Sequence, residues 1–361
     1  MGGEITIPEG KDQMDSLIRE WDGESVIVRF DRHTNAWIFV AIHSTRLGPA
    51  IGGTRMKSYP SLHAALQDAL RLAAGMTYKW AAAGVEAGGG KAVIALPDAL
   101  DPELRSELLR GYGAFVQKHK GLFLTGPDLG TSSEDMDIIA ETGAPFVFAR
   151  TPRAGGAGNP GPFTALGVFT SIQVVAERLF GDAALAGRRV TIQGVGSVGR
   201  ELIELLRNAG AEVFFSDVDE AAVTYFCDEL GLQCLPPEEV YESLCDIFAP
   251  CAVGGVLNEK SIPRLRCRAV VGAANNQLAN PEDALRLQER GILYAPDFIA
   301  NSGGAIAIIG METRGWSRKE AEQKVTKTIK DNLSQIFELA ETESVDTDEA
   351  ARRLAERRLA P

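Results

Sequence analysis

Residues 190–217, VTIQGVGSVGRELIELLRNAGAEVFFSD, leave this chain fewer ways to fold than any other stretch. An apolar run leads into G-x-G-x-x-G at Gly194, Gly196 and Gly199. Apolar residues at helical spacing follow, and a second apolar run ends in Asp217. A strand, a glycine turn, a helix and a strand in this order form the βαβ unit of a parallel sheet. The glycine spacing alone is weak, because 38 glycines in the chain give chance matches; the flanking strand and helix give it force. Glycine there permits a tight turn, close approach of the backbone to a pyrophosphate, and close helix–strand packing. The helix N-terminus then offers free N–H groups to the phosphates. Gly194, Gly196, Ser197, Val198 and Gly199 are therefore candidate cofactor contacts. Asp217 lies eighteen residues after Gly199, where a carboxylate accepts hydrogen bonds from ribose hydroxyls and repels a 2′-phosphate. No arginine follows it in SDVDE, so NAD is expected rather than NADP.

One such unit does not account for 361 residues, and a single core stops growing at roughly 250–300, so two domains are expected. The clearest break is RTPRAGGAGNPGPFTALG, at linker density in Gly and Pro. Its surroundings, Ala154 to Ala176, are uncharged, but their five glycines and two prolines argue against a membrane-spanning helix. Before the break, ESVIVRFD and AWIFVAIH read as strands after an initial helix. SLHAALQDALRLAAGM reads as a helix capped by Ser61, with one apolar face. KAVIALP and GLFLTGPD read as strands around a helix PELRSELLRGYGAFVQKH. After the break, CDIFAPC, RAVVGAAN and ILYAPDFIA are spaced as further sheet strands, and DEAARRLAERRLA reads as a charged helix with a solvated face.

The formal charge of −12 argues against nucleic-acid and membrane-surface partners, because that field repels phosphate backbones and anionic lipid. Local lysines can still attract a small anion. Five cysteines, none in a C-x-x-C, read as free thiols in a reducing compartment, and the four histidines show no metal-ligand spacing. The N-terminus lacks a basic stretch followed by an apolar core, so no signal peptide is read and a cytoplasmic protein is expected.

KWAAAGVEAGGGK, Lys79 to Lys91, is the other informative stretch. Lysines are mostly exposed, so any pair of them is more often an ordinary surface feature than a site. Here three glycines precede Lys91, let the backbone approach a ligand closely, and leave the amine with few neighbouring side chains. A lysine desolvated beside another cation holds its proton weakly and serves as a base, while Lys79 would keep its charge and hold an anion. A nicotinamide domain joined by a Gly-rich crossing to another domain suggests an enzyme with substrate held in a cleft.

These motifs together resemble the glutamate/leucine/phenylalanine/valine dehydrogenase family, and in particular its amino-acid dehydrogenases for apolar side chains. The resemblance covers nearly the whole chain, through GPAIGGTRM, DALRLAAGMTYKWAAAGVEAGGGKAVI, TGPDLGTSSEDMD, TALGV, QGVGSVG, GAANNQL and NSGG in order. It implies an α/β protein of two domains: residues 1–148 plus a returning C-terminal helix, 342–361, for substrate and oligomerisation, and 149–341 as a Rossmann NAD-binding domain. It implies that Lys79 binds the substrate carboxylate with the Gly52–Gly53 backbone, and that Met76 lies nearby. Lys91 would activate water, and Asp128 would exchange a proton with the substrate nitrogen. Thr164, Asn276 and Asn301 would lie near the nicotinamide, Asn276 also near the substrate amine. A homo-oligomer is implied as well.

Ile51 stands where the glutamate-specific branch resembles a lysine, and an apolar wall would leave a glutamate side chain desolvated and unpaired. Gly126 and Ala305 stand where leucine-type relatives resemble larger residues, whereas Ile308 fills space back; the balance favours an aromatic substrate, with leucine or valine open. Pro127 departs from the glutamate that many relatives resemble beside Asp128. The alternative of another class is a catalytically silent NAD- or amino-acid-binding protein on the same fold, since fold does not guarantee chemistry. The presence of Lys79, Lys91 and Asp128 together argues against it.

Overall fold

AWIFVAIH forms β2 (Ala36–Ser44) in the computed structural model of the chain, which describes residues 13–97 and 100–360. The β2 side chains alternate between two buried faces. Ile38, Val40 and Ile42 join one apolar cluster, and Phe39 and Ala41 join another. Period-two alternation with both sets apolar requires a layer on each side. β2 pairs antiparallel with β1 (Ser25–Asp31) and β4 (Gly88–Leu96), while β3 (Ala50–Ser58) pairs parallel with β4 and β5 (Phe123–Pro127). The sheet order is β1-β2-β4-β3-β5. After α1 (Gln13–Glu20), helix α2 (Leu62–Ala83) covers one face with Ala65, Leu66, Ala69, Leu70 and Ala73. Helices α3 (Pro102–Lys118) and α4 (Ser133–Gly143) cover the other through Leu108, Tyr112, Met136 and Ile139.

Two boundaries differ from the sequence reading. Ser61 does cap α2, its hydroxyl accepting from the Ala64 N–H at 3.1 Å, but the helix continues past Met76 to Ala83. No Gly or Pro interrupts TYKWAAA, and the helix stops before Gly84, at φ +64°, so Lys79 lies in its last turns. β4 begins at Gly88, three residues before Lys91, because the glycines form close-packed strand. A Cβ on Gly89 would lie 2.2 Å from the Thr77 backbone nitrogen, and one on Gly52 1.7 Å from the Gly90 oxygen.

The chain separates into two units, Met1–Thr77 with Gly88–Val147, and Tyr78–Ala87 with Phe148–Pro361. The second contains six short parallel strands: β6 (Arg189–Gln193), β7 (Glu212–Ser216), β8 (Gln233–Cys234), β9 (Ile247–Pro250), β10 (Ala269–Val270) and β11 (Leu293–Tyr294). Their order, β11-β10-β9-β6-β7-β8, is that of a doubly wound dinucleotide fold, and its direction reverses at β6. The helices are α5 (Gly161–Phe180), α6 (Ser197–Asn208), α7 (Glu220–Thr224), α8 (Glu282–Glu289), α9 (Asp297–Ala300), α10 (Gly303–Arg314), α11 (Arg318–Glu343) and α12 (Thr347–Leu359). Helix α5, starting inside the Gly-rich break, is apolar and long enough to cross a bilayer by length and composition, yet it is a packed helix of this unit, against α6, α10 and α11.

Three further expectations change. ILYAPDFIA is a strand only over Leu293–Tyr294; beyond Pro296 it becomes α9. The tail helix is more than a solvated face, since Ala350, Ala351 and Ala355 are buried on α12. It also groups with the second unit, not the first, where Arg358 donates to the Ala81 and Ala82 carbonyls and, at 3.0 Å, to Asn332 Oδ1.

The close packing at Gly89 gives a direct test. Gly89→Ala is expected to lower stability by about 2–3 kcal/mol through overpacking. Gly75→Ala, on α2 with open space around the new Cβ, should raise it by about 0.5–1 kcal/mol. Chemical denaturation of both variants against wild type measures the two signs.

Candidate active site

The first group of site residues grows out of β3, β4 and β5. Lys91 on β4 is only 4% exposed, and its Nζ lies 3.1 Å from Asp128 Oδ1, just beyond the end of β5. Asp128 follows Pro127, the last residue of the strand, and its N–H donates to Thr131 Oγ1 at 2.9 Å. The second carboxylate oxygen, Oδ2, accepts from Arg55 Nε at 2.7 Å. Burial pushes the Lys91 pKa below the usual lysine value; Asp128 opposes that and Arg55 adds to it. Burial alone would raise the Asp128 pKa, but Lys91 and Arg55 outweigh it and hold the carboxyl below its ordinary value. The result is an ionised carboxylate between two cationic groups, of which only the lysine yields its proton readily.

Ile51, Gly52 and Gly53 lie on β3, with Gly53 in register with Gly126 on β5. Ile51 is buried, and a Cβ on Gly53 would come within 2.9 Å of the Asp128 Cβ, so the glycine is needed for this approach. Met76 is half-buried on α2, one turn before Lys79. Sequence reasoning missed Arg55. The signal was present in GGTR: strand alternation puts Arg55 on the same side of β3 as Ile51 and Gly53.

The second group lies in the other unit. Lys79 Nζ donates to Asn301 Oδ1 at 2.6 Å. Asn301 is buried and donates through Nδ2 to Asn275 Oδ1 at 2.8 Å and to the Ala273 carbonyl at 3.2 Å. It thereby ties the GAANN loop to Lys79. Asn276, in the left-handed region at φ +53°, accepts from the Gly255 N–H through its carbonyl at 2.7 Å. Thr164 sits in the first turn of α5, close under the start of α10, where a Cβ on Gly304 would come 2.3 Å from its Oγ1. Ala305 is half-buried on α10, and Ile308 is buried one turn further on.

Beneath Lys79 and Asn301 lies Asp297, which the sequence reading also missed. Its Oδ2 accepts from the Gln277 N–H at 2.7 Å, and its carbonyl accepts from the Asn301 N–H at 2.9 Å. Burial pushes the Asp297 pKa up to about 6; the Gln277 N–H opposes this, Asp348 reinforces it, and Lys79 opposes it.

The glycine turn sits where the sheet order reverses. Gly194, at φ +97°, follows β6 directly, and its N–H donates to the Ser216 carbonyl at 2.8 Å. A Cβ on Gly199 would lie 2.1 Å from the Gly194 oxygen, so α6 packs down on the turn only with glycine there. Gly196 caps α6 with no side-chain bond to the first-turn amides, Gly196 and Ser197 are exposed, Val198 is half-buried, and nothing lies within 4 Å of where a Gly196 Cβ would be. Free amides facing open space suit a pyrophosphate. Asp217 Oδ2 accepts from the Val195 N–H at 2.6 Å and Oδ1 from the Asp219 N–H at 2.9 Å, which sets the carboxylate beside the turn as a ribose site requires. The residues present therefore fit a dinucleotide.

The model described as Glu/Leu/Phe/Val dehydrogenase, dimerisation domain, matches residues 27–144, and that described as Glutamate/Leucine/Phenylalanine/Valine dehydrogenase matches residues 215–361. The chain is 40% identical to leucine dehydrogenase from Thermoactinomyces intermedius over 95% of its own length and 92% of the relative's. It is 41% identical to phenylalanine dehydrogenase from Lysinibacillus sphaericus over 91% and 87% of the two lengths. It superimposes on the crystal structure of L-tryptophan dehydrogenase from Nostoc punctiforme with a TM-score of 0.81 at 39% identity, covering 96% of this chain and 98% of that one.

Asp297 gives a pH prediction. In the folded protein its pKa of about 6 lies above the ordinary 3.8, so the folded state keeps a proton that the unfolded chain has lost. Its contribution to stability therefore falls as pH rises from about 4 to about 6 and is level above that. Asp297→Asn removes that dependence, so its stability relative to wild type should rise by about 2–3 kcal/mol between pH 4 and pH 8. Paired denaturation curves across that range measure the difference.

Proposed function

The chain belongs to the glutamate/leucine/phenylalanine/valine dehydrogenase family, and from that premise we propose that it prefers an aromatic L-amino acid and uses NAD. It is a nicotinamide-dependent amino-acid dehydrogenase for apolar side chains, acting by oxidative deamination to the 2-oxo acid and ammonia. The observation that carries the residue assignment is the buried Lys91 amine, 3.1 Å from Asp128, with its pKa lowered by burial.

The Lys79 ammonium, steadied by Asn301, holds the substrate carboxylate together with the Gly52–Gly53 backbone. Asp128, ionised, takes a proton from the substrate ammonium so that the nitrogen lone pair can assist loss of hydride from Cα. When bound, the nicotinamide accepts that hydride. Lys91, unprotonated, removes a proton from the water that adds to the resulting imine carbon, and its ammonium form then stabilises the carbinolamine oxygen. Asp128 returns its proton to the nitrogen; the C–N bond then breaks as the C=O bond forms, the hydroxyl proton leaves with the nitrogen as ammonium, and Lys91 releases its proton to solvent, so that the 2-oxo acid remains. Run backwards, the same steps give reductive amination. Thr164 and Asn276 are assigned to the nicotinamide end, with Asn276 also near the substrate amine. The turn of Gly194, Gly196, Ser197, Val198 and Gly199 is assigned to the pyrophosphate, and Asp217 to the ribose.

The preference for an aromatic side chain rests on the small Gly126 and Ala305 and on the apolar Ile51, which leaves a glutamate carboxylate without a partner. NAD over NADP rests on Asp217 and on the acidic SDVDE that contains it. A homo-oligomer is proposed, assembled through the first unit, whose family model is described as a dimerisation domain. A cytoplasmic setting accords with five free thiols.

The deciding experiment is initial-rate NADH formation across L-phenylalanine, L-tryptophan, L-leucine, L-valine and L-glutamate at alkaline pH, with NAD and with NADP. Highest kcat/KM for an aromatic substrate with NAD is expected. A profile led by leucine or valine removes the aromatic preference and keeps the mechanism, and no turnover with any of the five favours a silent binder. Lys91→Ala should lower kcat by about 10²–10⁴-fold, the usual reach of acid–base catalysis, while NADH binding measured by fluorescence persists.

A further inference from the structure

Asp128 is the inner end of a longer chain of charges. Arg55, which donates to Asp128 through Nε at 2.7 Å, also donates through its first terminal nitrogen to Asp68 Oδ2 at 3.0 Å. The same Asp68 oxygen accepts from the Tyr59 hydroxyl at 2.8 Å, and Asp68 Oδ1 accepts from Arg71 at 2.8 Å. β3 thus carries a guanidinium that faces two carboxylates, Asp128 beside the Lys91 amine and Asp68 on α2. Arg55 and Asp68 are both largely covered, with 17% and 14% of their side chains exposed. The outer end meets a groove of about 780 Å³, lined in part by Trp21, Lys57, Tyr59, Asp68 and Arg71.

We propose that Arg55 and Asp68 are positioning residues that act on Lys91 through Asp128, a relay in which Arg55 keeps the lysine amine free to take a proton from water while Asp68 holds Arg55 in place and tempers its charge. The inference rests on the assignment of Lys91 as the base. If Lys91 alone faced Asp128, the two would form an ordinary ion pair and the amine would stay charged. Arg55 is charged at every working pH, so it occupies one carboxylate oxygen permanently, and the lysine is the cation that gives up its proton. Asp68 orients the guanidinium fork and, as an anion, moderates its charge. The charged groups acting on Lys91 are Asp128, Arg55 and Asp68. Those acting on Asp128 are Lys91 and Arg55, and those on Asp68 are Arg71 and Arg55, with the neutral Tyr59 hydroxyl donating to it.

The two outer residues therefore push Lys91 in opposite directions. Arg55 favours the neutral amine and Asp68 the charged one. The test is a ¹³C NMR titration of protein labelled at lysine Cε, with the Lys91 resonance identified by its loss in Lys91→Met, alongside the pH profile of kcat/KM for oxidative deamination. Arg55→Gln should move the Lys91 titration to higher pH by about one unit or more. Asp68→Asn, which retains an acceptor for Arg55, should move it to lower pH by a few tenths. Arg55→Lys, which keeps the charge and loses the fork, should leave the titration near wild type while kcat falls. Titrations that do not move, or that move in the same direction in Arg55→Gln and Asp68→Asn, overturn the relay. Opposite shifts in the two variants, with a wild-type protein that oxidises no apolar amino acid, would uphold the relay and refute the proposed substrate class.

Discussion

Burying an ammonium group beside a single carboxylate is the constraint on which the first unit is organised. An isolated buried charge costs several kcal/mol, and the protein meets that cost at Lys91 with proximity to Asp128 and readiness to lose the proton. Nothing about the lysine alone would produce this. It requires that β4 bring the amine under cover, that β5 end where its next residue faces that amine, and that β3 lie between them in register. The glycines of β3 and β4 are the local expression of that requirement. A side chain at Gly52 would run into the Gly90 carbonyl, and one at Gly53 into the Pro127 carbonyl and the Asp128 Cβ. The parallel strands approach closely enough to set the carboxylate against the lysine only because those side chains are missing.

The second unit solves a different electrostatic problem, how to keep positive charge in place while staying folded. At the glycine turn it uses unpaired backbone amides at the start of α6, which carry no desolvation cost of a buried side chain. At Lys79 it uses a side-chain ammonium backed by an amide, Asn301, and a buried carboxyl, Asp297. The same short helix, α9, carries Asp297 at its start and leads into Asn301, so one turn of backbone holds both supports. The Gln277 N–H on the Asp297 carboxylate ties the GAANN loop to the same support. Residues separated by over two hundred positions are thus fixed by one small network.

Much of this could be read in the one-dimensional pattern. The βαβ run from Val190 to Asp217 implied a parallel sheet, and the sheet around β6 has the doubly wound order. Apolar spacing in SLHAALQDALRLAAGM marked the face of α2 that packs on the first sheet. Where the reading fell short, tertiary contact had overridden local pattern. The strand read from Lys91 begins three residues earlier, inside the triple glycine, because its neighbours leave room only for hydrogen at Cα. The charged tail looked solvated and buries one face, because α12, with alanines too small to mark a core by themselves, packs against α11 and β11. PDFIA looked like strand and is helix, since four residues carry too little periodicity to tell the two apart.

The sequence by itself determined the class of architecture and the glycine turn, and it supplied the residue types proposed as base, acid and anion holder. Local periodicity and short motifs carry that information, since each depends only on neighbours along the chain. Only the tertiary structure decided what sets the chemical state of those groups. Arg55 on Asp128, Asp68 on Arg55, and Asp297 beneath Asn301 are partners brought together by strand register and helix packing. A proton affinity depends on burial and on charges within a few ångströms in space, and distance along the chain does not encode either.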